Sequence, residues 1–167
     1  MPNWCSVQIE IVGPTAQLTK LKEAVDTETF LQTICPAPAD VDYDYNWCVE
    51  NWGTKWECGQ QDDAELEELA TAHPFLQSKL TIAAQSAWSP PLEALATFQE
   101  ANPELFVKCY YYEGGMDFGG KWDGESEEYL DDLHAESIDW TTGVAAELDG
   151  LFGICEEHAQ YDEEMAN

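Results

Sequence analysis

The sequence predicts an α+β domain, and three observations predict it. Val7, Ile9 and Ile11 alternate with Gln8 and Glu10, the period-two pattern of a strand with one buried face. Leu18, Leu21 and Val25 follow at helical spacing. Farther along, residues 105–113 and 116–122 read as two strands joined through Gly114-Gly115, a hairpin signal. At 167 residues the chain suits a single core carrying a helical annex.

The elements follow in order. The first strand covers residues 5–12 and ends at Gly13-Pro14; Thr15 is a plausible cap for a helix running to about Asp26. A short apolar stretch at 30–34 leads into Cys35-Pro36-Ala37-Pro38, a breaker that opens an irregular region to about Asn51. Residues 54–58 read as a short strand, 62–71 as an acidic helix with Leu66 and Leu69 inward, and 79–87 as a strand. Pro90 and Pro91 suit a helix start after Ser89, with Leu92, Leu95 and Phe98 inward and Asn102-Pro103 closing it. A last helix over about 144–159 sets Val144, Leu148, Leu151, Phe152 and Cys155 on one stripe, which reads as a core face.

Four stretches stand out together: MPNWC at 1–5, NWGTKW at 51–56, SAWSPP at 86–91 and YYYEGGMDFGGKW at 110–122. In this order they resemble the Api92-like family of phage and plasmid proteins, a domain of unknown function. The resemblance covers residues 1–122 and implies a ferredoxin-like β-α-β-β-α-β antiparallel sheet, with strands at 5–12, 54–58, 79–87 and 105–113 and helices after the first and third. The hairpin adds a further strand. Residues 123–167 then form an acidic helical C-terminal extension packed on the same core. The family brings no established catalytic residues, so the resemblance speaks to fold and to a mobile-element origin.

Charge carries the functional reading. Thirty-four Asp and Glu stand against six Lys and no Arg, a formal net charge of -28. A chain that is 44% hydrophobic with seven Trp, seven Tyr and six Phe has the apolar material to fold, unlike an acidic disordered tail. A folded polyanion points to imitation of a phosphate backbone and occupation of a basic nucleic-acid-binding groove. Residues 123–167 hold fifteen of the acids and no lysine. Read as a helix, Glu128, Asp132 and Glu136 fall at successive i, i+4 positions, with Glu127 and Asp131 as a neighbouring stripe and Glu125 just before. Six carboxylates then span about 18 Å, close to the spacing of roughly 3.4 Å per phosphate on one DNA strand. Asp40, Asp42 and Asp44 form a second acidic candidate.

The expected partner is a basic nucleic-acid-binding protein of a host defence system, such as a CRISPR effector or a restriction enzyme. The alternative is an acidic interaction module that binds a basic partner without blocking nucleic acid. Two blander readings compete for the charge: a solvated helix face and adaptation to high salt. Calcium binding at 40–51 is disfavoured because Tyr45 stands where an EF-hand loop needs Gly and Asn51 where it needs Glu. Direct nucleic-acid binding is excluded by repulsion.

No catalytic role, cofactor or metal is assigned. His73, His134 and His158 are far apart, and no GxSxG, HExxH, GxGxxG or GxxxxGK[ST] pattern is present. Cys5, Cys35, Cys48, Cys58, Cys109 and Cys155 lack any CxxC pair; reduced buried thiols are the favoured reading, with zinc or disulfides as alternatives. Trp4, Trp52, Trp56, Trp88 and Trp122 read mostly as core. The first residues lack a signal-peptide pattern and no run reaches membrane-span length, so a soluble protein of the host bacterial cytoplasm is expected.

Overall fold

Alternation makes the central strand. β1 (Trp4–Pro14) buries Cys5, Val7, Ile9 and Ile11 on one face and turns Ser6, Gln8 and Glu10 to the other. The computed structural model describes residues 3–70 and 77–166, so His73 and the end of the helix predicted to residue 71 lie outside the described residues. β1 pairs antiparallel with β4 (Gln77–Ala87) on one side and with β5 (Phe106–Glu113) on the other. Beyond β5 come β6 (Phe118–Trp122) and β7 (Glu127–Asp131); β2 (Gly59–Gln60) and β3 (Glu65–Leu69) succeed one another along the far side of β4. The result is an α+β fold with a seven-stranded antiparallel open sheet, ordered β2-β4-β1-β5-β6-β7 with β3 also on β4.

Six helices among the described residues cover parts of both faces. α1 (Thr15–Asp26) and α4 (Leu92–Ala101) lie on the sheet, and α2 (Phe30–Ile34) and α3 (Tyr45–Trp52) pack against α4. Leu18, Leu21, Leu31, Trp52 and Leu95 close over Val7, Ile9, Leu80, Ile82 and Val107. The opposite face is covered by α5 (Gly143–Phe152) and the start of α6 (Ile154–Met165). There Tyr110 and Tyr112 join Leu133, Val144, Leu148 and Ile154 in a second cluster. β5 serves both cores because Val107, Cys109 and Tyr111 alternate with Tyr110 and Tyr112. Leu133 and Leu148 are fully buried, worth about 1.5–3 kcal/mol each.

Several expectations are corrected. Residues 62–70 do not form the predicted helix: 65–69 are β3, because the free edge of β4 offers a hydrogen-bonding partner while Leu66 packs on the core. Residues 54–58 are irregular. The Thr54 hydroxyl donates to the Ala87 carbonyl and accepts from the Ala87 N–H, both at 3.0 Å, in place of a strand ladder. The supposedly irregular stretch to Asn51 contains α3, started by Asp44 accepting from the Trp47 N–H at 2.8 Å and ended by Gly53 at φ 78°. The last helix is two helices, broken at Gly153 with φ 68°, so that Leu151 and Cys155 are exposed instead of sharing the core stripe. Trp52 and Trp122 are buried, but Trp4 and Trp56 are 44% and 43% exposed and meet edge-to-face at 6.2 Å. No helix among the described residues is long and apolar enough to cross a membrane.

Candidate functional site

The acidic annex has a different form from the predicted helix. Glu127, Glu128 and Asp131 belong to β7, an outermost strand of the sheet. Like charges at i, i+4 oppose a helix here, and the outer side of β6 supplies strand partners instead. Alternation then sends the carboxylates to two faces. Glu127 accepts a hydrogen bond from the Tyr111 hydroxyl on the side of the main core, where Tyr129 also stacks on Phe118 at 5.9 Å. Glu128 shares the opposite side with Leu130, across from Lys121. Asp132 ends the strand with φ 51°, and Glu136 lies in the turns that follow. Glu125 sits in the β6–β7 turn, where the Asp123 carboxylate accepts the Glu125 and Ser126 N–H groups at 3.1 and 2.9 Å.

All six of these acids are exposed, yet they make no single helical stripe. Strand rise keeps successive residues about 3.3 Å apart, so 127–131 spans roughly 13 Å along an edge. Asp40, Asp42 and Asp44 are exposed in a separate segment before α3, and Asp44 is occupied as the helix cap. The other outermost strand, β3, presents Glu65, Glu67 and Glu68 to solvent. Both long borders of the sheet are therefore carboxylate-lined. Such charge blocks edge-to-edge pairing with other chains whatever else it does.

The lysines do little to offset this surface. Lys22, Lys79 and Lys121 are held by Asp26, Glu10 and Glu147 at 2.8, 3.1 and 2.9 Å. Lys55 lies 4.2 Å above the Trp88 ring, next to the exposed Trp56. Lys121 holds Glu147 below the usual carboxylate range against the opposing pull of desolvation, helped by the Tyr110 hydroxyl.

A second constellation joins residues that sequence reasoning left apart. Asp117 stands at the end of the β5–β6 turn with φ 61°, where the buried Glu113 accepts the Gly115 and Met116 N–H groups at 2.9 and 2.6 Å. His134 follows β7, its backbone N–H donating to Asp117 Oδ2 at 3.1 Å and its ring Nδ1 lying 2.9 Å from the same oxygen. His158 comes from α6; its ring stacks on His134 at 3.6 Å and its Nε2 lies 3.9 Å from Asp117 Oδ1. Burial, and then His134, hold His158 below its ordinary range. The three side chains line a cavity of about 620 Å³ with Tyr112, Glu157 and Tyr161. Their donor atoms fall within 4.8 Å of one another, close enough for one metal ion.

The only sequence signal for this site was weak: three isolated residues of ligand type, each next to a turn or on a late helix. Gly153 is the hidden determinant, since an unbroken helix would carry His158 in another direction. All six cysteines are free, and Cys155 alone is exposed. Burial pushes the Cys5 thiol up to about 12 and raises Cys58 and Cys109 as well. No family model, curated protein or solved structure matches the chain.

Proposed function

We propose that this protein is an acidic inhibitor that imitates a nucleic-acid backbone and occludes the basic DNA- or RNA-binding groove of another protein. The observation that carries the reading is an uncompensated anionic surface on a folded chain: net charge -28, with Lys22, Lys79 and Lys121 tied to the chain's own carboxylates. The carboxylates of β7 and its flanks, Glu125, Glu127, Glu128, Asp131, Asp132 and Glu136, are the contact face. Their charge accelerates association, and exposed aromatics such as the Trp4–Trp56 pair supply anchoring area that charge alone lacks. A partner from a host defence system, a CRISPR effector or restriction enzyme, agrees with the resemblance to Api92-like phage and plasmid proteins. The strand sequence β5-β1-β4 with β3 outermost supports a ferredoxin-like core within residues 1–122.

The test is competition. A captured basic partner is challenged with duplex DNA at rising salt: mimicry requires that DNA and this protein exclude one another and that the complex weaken steeply with salt. Glu125→Lys, Glu128→Lys and Asp131→Lys together weaken the complex by about tenfold or more, as three contacts of roughly 1 kcal/mol reverse sign. A stable ternary complex with DNA in the groove refutes occlusion and leaves the simple interaction module.

A further inference from the structure

We propose that Asp117, His134 and His158 bind a divalent transition-metal ion of the zinc class, with the remaining coordination positions turned to the adjoining cavity. Three segments distant in sequence converge on the point: the β5–β6 turn, the loop after β7 and α6. Asp117 Oδ1 and His158 Nε2 are buried and have no hydrogen-bond partner among the described residues. Orphaned buried polar atoms are costly, and these two face each other across 3.9 Å, too far for a direct hydrogen bond.

A metal ion fits that gap. With bonds of about 2.0–2.1 Å to nitrogen and oxygen, tetrahedral ligands stand roughly 3.4 Å apart, so an inward shift of about half an ångström brings Asp117 Oδ1 and His158 Nε2 onto one ion. His134 Nδ1 completes the set once its ring turns out of the stack on His158, so that both imidazole lone pairs point at the ion. Its contact with Asp117 Oδ2 is given up, and the His134 backbone N–H continues to hold that oxygen at 3.1 Å. Two imidazoles and one carboxylate select Zn²⁺ or a neighbouring first-row ion over Mg²⁺ and Ca²⁺, which prefer all-oxygen sites. Three protein ligands beside a cavity of about 620 Å³ leave room for water or an exogenous ligand on the ion. The three ligands are not among the carboxylates of the proposed contact face, although His134 lies between Asp132 and Glu136 in the chain, and neither proposal requires the other.

Diffuse binding to the polyanionic surface is the confounder, so the full chain is titrated with Zn²⁺ against a zinc-responsive dye in millimolar Mg²⁺, and Co²⁺ reports geometry by its visible spectrum. One tight Zn²⁺ per chain is expected. Asp117→Asn and His158→Ala each lower the affinity by about tenfold or more, and His134→Ala alters the Co²⁺ bands. Circular dichroism of the metal-free variants reports folding; where His158→Ala loosens α6, His158→Gln keeps the bulk and still removes the ligand. Cys155→Ser leaves the affinity unchanged. Equal Zn²⁺ affinity in parent, Asp117→Asn and His158→Gln, displacement of Zn²⁺ by millimolar Mg²⁺, or loss of binding in Cys155→Ser overturns the assignment.

Discussion

The Tyr111 hydroxyl reaches the Glu127 carboxylate by passing over Gly120, whose missing side chain leaves the path open. A β-carbon there would stand 2.6 Å from both Tyr111 Cζ and the Glu128 carbonyl oxygen. Burial and the Glu127 carboxylate push the Tyr111 phenol well up, so it remains the donor at any ordinary pH.

Gly120→Ala therefore forces β6 and β7 apart or displaces Tyr111. Overpacking of this kind costs about 1–3 kcal/mol, and each kcal/mol lowers Tm by about 2–4 °C in a chain of this size. Thermal melts of the parent and of Gly120→Ala check it. In a Tyr111→Phe background the same substitution costs less, since the hydroxyl is gone, and a fully additive pair of effects contradicts the account.

Glu57 fixes α2 from outside. Its carboxylate accepts the Leu31 and Gln32 N–H groups at 2.8 and 3.1 Å, and Glu57→Ala leaves them unpaired at a cost of about 1–3 kcal/mol. Burial raises its pKa above the ordinary 4.5, against those same hydrogen bonds. A raised folded pKa means that its favourable contribution is complete below about 4.5 and is lost as pH rises through the elevated value. Urea unfolding at successive pH values should thus show Glu57→Gln gaining on the parent between pH 4.5 and neutrality. A gap that stays constant across that range assigns the pH dependence elsewhere.

Self-repulsion weakens the whole fold at low ionic strength. With a formal net charge of -28, Tm should rise as NaCl increases and the Debye length falls from about 30 Å at 0.01 M to about 3 Å at 1 M. A flat or falling Tm would mean that the attractive pairs, such as Lys79–Glu10, outweigh the repulsion.

Thiol chemistry should separate one cysteine from five. Cys5, Cys35, Cys48, Cys58 and Cys109 are buried, so a thiol reagent should titrate a single group in the native protein and six after denaturation. Desolvation and the Asp149 carboxylate hold the Cys155 thiol above its ordinary value, so it should react more slowly than free cysteine. Rapid native labelling of more than one thiol argues against the packing described for the main core.

Much of the sheet was legible because its signals are long and one-sided. β1, β4 and β5 alternate over eight to eleven residues, and α1 and α4 carry apolar stripes framed by Pro14 and Pro91. The acidic borders misled for a physical reason. Glu65–Leu69 and Glu127–Asp131 are short, rich in residues that favour helices, and have leucines compatible with either period. What makes them strands is the unpaired flank of β4 or β6, a partner that lies elsewhere in the chain. Of the predicted contact residues, all nine are at the surface, but only Glu127, Glu128 and Asp131 share one element. The Asp117–His134–His158 cluster was invisible because its members meet only once β7 is paired and α6 has turned at Gly153.

That turn also decides how the molecule comes apart. α6 buries one residue, Ile154, and its further contacts are polar or aromatic, among them the Asp149 carboxylate on the Cys155 N–H at 2.7 Å, the ring stack of His158 on His134, and the edge-to-face approaches of Trp140 to His158 and of Tyr161 to His134. A helix with so little apolar contact opens on its own, well below the free energy of global unfolding. Its amide protons should exchange with solvent orders of magnitude faster than those of β1 and β4, and an ion bridging His158 to Asp117 would slow that exchange in α6 while leaving the central strands untouched.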